Sequence, residues 1–210
     1  MRIGYGNPTF QARISEGKYP KNLTLGFENE VEMLEEDADI NEALENFDGR
    51  NGFLYAKEDG SLYNGAEINS QPFNFNWFLE NREVLNFTSH LNENGVGGTE
   101  SCGFHIHFNK SYFSDKHLRR LLKLVYSAPR FWEKVSQREE EANLHEYANL
   151  DYFKERLEEK YGNDSISWKN MNKVVRSYGF TQHYDALDLS GTCSTIEFRI
   201  FRGTTNPNLI

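Results

Sequence analysis

Cysteine is scarce in this 210-residue chain, with Cys102 and Cys193 its only two. Two thiols cannot frame a disulfide scaffold, and the usage fits a protein of the reducing cytoplasm. No apolar run approaches the length of about 20 residues that spans a bilayer. The opening "MRIGYGNPTFQARIS" also lacks the apolar stretch of a secretory leader. Positive charge is short as well: 23 Lys and Arg face 32 Asp and Glu, for a net charge of −9. That balance argues against a nucleic-acid surface and against adhesion to an anionic membrane. A nucleotide ligand would need divalent cations between its phosphates and so acidic a protein. Internal repeats and low-complexity linkers are missing too, so residues 1–210 read as one domain, with 1–22 as an N-terminal arm.

Aromatic residues are plentiful, with 16 Phe, 11 Tyr and 3 Trp, enough to build a core from few positions. The segment "LTLGFENEVEM" alternates: Leu25, Phe27, Val31 and Met33 face one way, Glu28, Glu30 and Glu32 the other. The stretch 53–72 predicts two strands around a turn at Asp59-Gly60, the second carrying Glu67. Residues 74–95 have helical spacing, with Gly95 as the stop. In "ESCGFHIHFN", His105 and His107 share one strand face, opposite Phe104, Ile106 and Phe108. Ser114 should cap a helix that Pro129 breaks, and a solvent-facing helix should end at Gly162. The terminal "HYDALDLS" and "STIEFRIF" predict a hairpin, with Ile196, Phe198 and Ile200 inward and Glu197 and Arg199 outward.

Each of these strands therefore has an apolar face for helices to cover and an opposite face of acids, histidines or arginine. A wet, screened surface accounts for Glu28, Glu30 and Glu32 alone. It accounts poorly for Glu67, His105, His107, Glu197 and Arg199 on separate segments. Carboxylates two residues apart on a strand, about 6.6 Å, repel by roughly 2.5 kcal/mol at an effective dielectric near 20. Converging strands would accumulate that repulsion, and bound divalent cations relieve it.

The motifs "GFENE", "EDGSLYNGAEINSQP", "CGFHIHFN" and "IEFRIFRGT" together resemble the amidoligase family of ATP-dependent carboxylate–amine ligases, relatives of glutamine synthetase and glutamate–cysteine ligase. The resemblance spans Leu25 to Thr204. It implies an α+β fold: a curved, mostly antiparallel sheet, helices on its outer face and the site on its inner face. It further implies that Glu30, Asp59 and Glu67 hold one metal ion and that Glu28, His105 and Glu197 hold a second. By the same resemblance His107 lies near the phosphates of ATP and Arg199 binds the transferred phosphoryl group. Mg²⁺ is the implied metal, with Mn²⁺ a substitute that suits a histidine ligand. The implied reaction joins a carboxylate and an amine through an acyl phosphate.

Arg202 and Tyr184 are candidate substrate contacts, and Glu32 reads as a rim residue. Cys102 reads as structural, since nothing in the sequence activates it. The chain ends at "TTNPNLI", where family members continue into further helix. Set beside them the chain reads as a shortened member, its sheet completed by a partner, by a second copy, or left partly uncovered. Two other readings stay open: a metal-dependent hydrolase built on the HxH strand with Glu197, and an inactive relative that binds metal or nucleotide as a partner subunit.

Overall fold

A computed structural model of the chain describes residues 11–48, 52–138, 148, 150–162, 167–176, 181–182, 184–189 and 194–206. The strands among them are β1 (Thr24–Met33), β2 (Leu54–Glu58), β3 (Gly65–Ser70), β4 (Phe73–Asn74), β5 (Val96–Gly97), β6 (Gly103–Asn109), β7 (Leu187–Asp188) and β8 (Thr195–Arg202). They form an open antiparallel sheet in the order β2-β3-β1-β6-β8-β7, with β4 and β5 each added to β1. Seven α-helices occur among the described residues: α1 (Ile40–Asp48), α2 (Phe75–Glu80), α3 (Phe87–Glu93), α4 (Asp115–Tyr126), α5 (Pro129–Ser136), α6 (Asp151–Tyr161) and α7 (Trp168–Arg176). An antiparallel sheet with helices outside any βαβ crossover is the α+β class. No helix among the described residues is long and apolar enough to cross a membrane. The chain divides into two compact units, residues 1–106 with 202–210, and residues 107–201.

In the first unit β1 alternates as its sequence requires. Phe27 and Val31 are buried, and Phe27 sits among the rings of Phe53, Phe73, Phe87 and Phe104 at centroid distances of 5.5–6.4 Å. Asn29 belongs to this buried set. It is fully enclosed, and its side chain donates to the Thr204 carbonyl at 3.0 Å. The hairpin β2–β3 pairs Tyr55 with Asn69 and Lys57 with Glu67, and β3 continues onto β1 with Asn69 opposite Glu28 and Glu67 opposite Glu30. Cross-strand partners share a face.

The continuous helix expected over 74–95 is two helices. A 3-10 turn at Arg82–Asn86 separates α2 from α3, and Asn81 ends α2 with its side chain donating to the Trp77 carbonyl. Asparagine competes with the backbone ladder in this way, which the apolar spacing could not register. Gly95 does stop α3, at φ +70°. Of the arm, the described residues 11–22 are held by side-chain amides acting as surrogate backbone: Asn74 pairs with both backbone groups of Ser15, and Asn76 with those of Tyr19.

In the second unit α4 starts at Ser114, whose side chain forms a capping box with His117, and α5 starts on Pro129. Pro at the first helical position loses no bond, because that N–H has no intrahelical partner. α6 ends at Gly162, φ +74°, yet it is not wholly solvent-facing. Phe153 and Leu157 are fully buried, and the Phe153 ring stacks on Tyr126 at 3.9 Å. β7 pairs with β8, Leu187 opposite Phe198 and Asp188 opposite Glu197.

Candidate active site

Within the first unit, three adjacent strands present one polar face. Its rows are Tyr55–Asn69–Glu28 and Lys57–Glu67–Glu30, read from the registers. Glu67 accepts from Lys57 Nζ at 3.1 Å and from Asn69 Nδ2 at 3.3 Å. Burial and the charge of Glu28 nevertheless hold its carboxyl above the usual carboxylate range. Burial, Glu28 and Glu67 push the Tyr55 phenol up to about 12. Asp59 stands in the loop after β2, where its Oδ1 accepts the Ser61 N–H at 2.8 Å.

β6 brings His105 to the same acids. The ring is buried, its Nδ1 3.5 Å from Glu28 Oε2 and its Nε2 3.7 Å from Glu30 Oε1. Glu30 also accepts the Gly103 N–H through Oε2 at 2.5 Å. The imidazole thus stands between two carboxylates, one ring nitrogen turned to each. Gly103 makes the arrangement fit: a Cβ there would lie 2.4 Å from His105 Nε2 and 3.2 Å from Glu30 Oε2. Gly103→Ala is expected to lower urea-measured stability by about 1–3 kcal/mol. It should also turn His105 off Glu30, read as loss of the His105 ring-proton shift that Glu30→Gln abolishes.

Within the second unit, β8 presents Glu197 and Arg199 on one face, and the guanidinium donates to the carboxylate. Arg199 is only 8% exposed, and its Nε has no hydrogen-bond acceptor among the described residues. A ring nitrogen of His107 and a carboxylate oxygen of Glu197 lie within 4.8 Å of each other. His107 Nδ1 also contacts Thr195 Oγ1 at 3.3 Å, which orients the ring. Asp188, across from Glu197, is 9% exposed and accepts from Thr181 Oγ1 at 3.2 Å. Asp185 is separately engaged, accepting from Arg156 and from the Gln182 N–H.

Glu32 ties down the β2–β3 loop by accepting the Tyr63 N–H at 3.1 Å. Cys102 is enclosed, and burial pushes its thiol up, the setting of a structural cysteine. Arg202 is half-buried at the end of β8, and Tyr184 is 58% exposed. Cys193 lies outside the described residues. Three polar residues escaped the sequence reading: Tyr55, Lys57 and Asn69. Their alternation with Ala56 and Ile68 was visible, but their proximity to Glu28 and Glu67 depends on the hairpin register.

A family model described as "Putative amidoligase enzyme" matches residues 33–210. The chain belongs to the amidoligase family. It is thereby an enzyme of the ligase class. The matched span begins at Met33, so Glu28 and Glu30 precede it, whereas Asp59, Glu67, the histidine strand and β8 fall within it. No curated protein matches the amidoligase sequence.

Proposed function

We propose that this amidoligase is an ATP- and divalent-metal-dependent carboxylate–amine ligase with a glutamine synthetase-like catalytic fold. The observation that carries the reading is Arg199, a buried guanidinium held by Glu197 with an Nε–H left to donate. With no acceptor for it among the described residues, an anion such as a phosphoryl group is a fitting partner for this donor. Carboxylates and imidazoles supply the oxygen and nitrogen donors that Mg²⁺ or Mn²⁺ takes. Glu30, Asp59 and Glu67 would hold one ion. Glu28, His105 and Glu197 would hold the second, and His107, which lies near Glu197, would face the phosphates of ATP. When bound, these ions neutralise phosphate charge.

The chain's own residues then have defined tasks. Arg199 donates to the γ-phosphoryl group as it passes from ATP to a substrate carboxylate oxygen, giving ADP and an acyl phosphate. An amine nitrogen attacks the acyl carbon, phosphate leaves, and the amine loses a proton. Thr195 keeps His107 turned toward Glu197, and Gly103 leaves room for His105. The substrates are a carboxylate, free or on a peptide, and an amine donor, with Arg202 and Tyr184 as candidate contacts. The low cysteine count supports a cytoplasmic setting, and the acidic balance supports a ligase that works apart from nucleic acid and membrane, as a homo-oligomer or with a complementing partner.

Thermal unfolding with ATP tests the first half of this reading. ATP with Mg²⁺ or Mn²⁺ is expected to raise stability by about 2.7 kcal/mol at 100 times its Kd. ATP with chelator should add nothing, since an acidic face repels bare triphosphate. Equal shifts in both arms would refute metal dependence. ADP release with panels of carboxylates and amines tests the second half, and metal–ATP binding without turnover for any pair would favour the partner-subunit reading. Metal-dependent hydrolysis indifferent to ATP would favour the hydrolase.

A further inference from the structure

We propose that Lys57 is a built-in counter-ion of the metal site, occupying Glu67 in the metal-free protein and leaving it when a divalent cation binds. The inference rests on the reading of Glu67 as a metal ligand. Lys57 is the only lysine or arginine in β1, β2 and β3, and the register sets it directly opposite Glu67. Its Nζ lies 3.1 Å from Glu67 Oε2, on the face that also carries Glu28 and Glu30. The two partners differ in freedom. The Glu67 side chain is 14% exposed and fixed also by Asn69, whereas the Lys57 side chain is 44% exposed. A four-carbon stem with that much solvent around it can swing the ammonium away without disturbing the strand, while the carboxylate stays.

Both cations are drawn to the same carboxylate, whose Oε2 Lys57 holds. An ammonium and a Mg²⁺ ion on one carboxylate would repel each other strongly in a partly buried site. The divalent ion brings twice the charge, so the lysine is the one displaced. Lys57 keeps its proton throughout, and no bond is made or broken. The arrangement has a use: without metal it lessens the mutual repulsion of Glu28 and Glu67, and with metal the ammonium is released. The cost is competition, because each binding event must break a salt bridge worth up to about 1 kcal/mol at this exposure.

Two measurements on the full chain test the proposal. Calorimetric titration with Mn²⁺ alone should show Lys57→Met binding roughly fivefold more tightly than wild type, and Lys57→Arg, which keeps the pair, binding as wild type does. In NMR spectra of wild-type protein, the Lys57 side-chain methylene signals should move to free-lysine positions as Mg²⁺ is added. Glu67→Gln should place them there with no metal present. Wild-type protein that binds Mn²⁺ while its Lys57 signals stay fixed would overturn the counter-ion role and leave the ligase reading standing. Equal Mn²⁺ affinity in wild type and Lys57→Met would do the same. No Mn²⁺ binding to wild type at millimolar concentration would remove the metal reading and this inference together. The NMR arm on wild type keeps the test valid if Lys57→Met fails to fold.

Discussion

Arg199→Lys is expected to lower ligase turnover by roughly a thousandfold while Mn²⁺ affinity stays within a fewfold of wild type. The reason is geometric. The guanidinium is a planar fork that can donate to Glu197 and to a phosphoryl oxygen at once, and its Nε–H is the donor left over. Lysine keeps the charge and the salt bridge to Glu197 but cannot span both acceptors in one plane. Metal affinity separates this role from a structural one, since collapse of β8 would also displace Glu197. The measurement is ADP release under saturating metal–ATP beside calorimetric Mn²⁺ binding. Turnover unchanged in Arg199→Lys would end the phosphoryl-binding assignment even with the fold and family intact.

Glu28→Gln should act in opposite directions on stability and on function. Its carboxylate faces His105 and raises both Glu67 and Tyr55, so neutralising it relieves the crowded face of the first unit. In chelator the variant is expected to melt a few degrees higher than wild type, while Mn²⁺ affinity falls by roughly a hundredfold. A pH series checks the same electrostatics. The Glu67 carboxyl titrates above its unfolded value of 4.5, so the folded chain holds a proton that the unfolded chain has released. Its contribution is therefore fully present below pH 4.5 and is lost as pH rises through the folded pKa. The stability of Glu67→Gln relative to wild type, measured by urea in chelator, should rise across that window. A difference that falls with pH would mean that Lys57 outweighs both burial and Glu28.

The elements carrying the candidate site were legible because their signals are local. "FENEVEM" and "FHIHF" alternate at the period of a strand, and a half-buried strand must put its acids or histidines opposite its aromatics. Ser114, Pro129, Gly95 and Gly162 each stop or start a helix through their own backbone preferences. The break at Asn81 was not legible, because it depends on a side-chain amide bonding a carbonyl that apolar spacing cannot weigh.

By itself the sequence determined the longer strands, though not the two-residue β4 and β5, the faces on which Glu28, Glu30, Glu67, His105, His107, Glu197 and Arg199 lie, and the family resemblance, since period and residue type need no partner. Tertiary structure alone decided which of these groups meet. It set Lys57 on Glu67, slid His105 over Gly103 between Glu28 and Glu30, brought His107 toward Glu197, and faced Asp188 with Glu197. Those juxtapositions follow from strand register and strand order. A shift of one residue sends a side chain to the other face, and one strand's sequence holds no record of its neighbour's register.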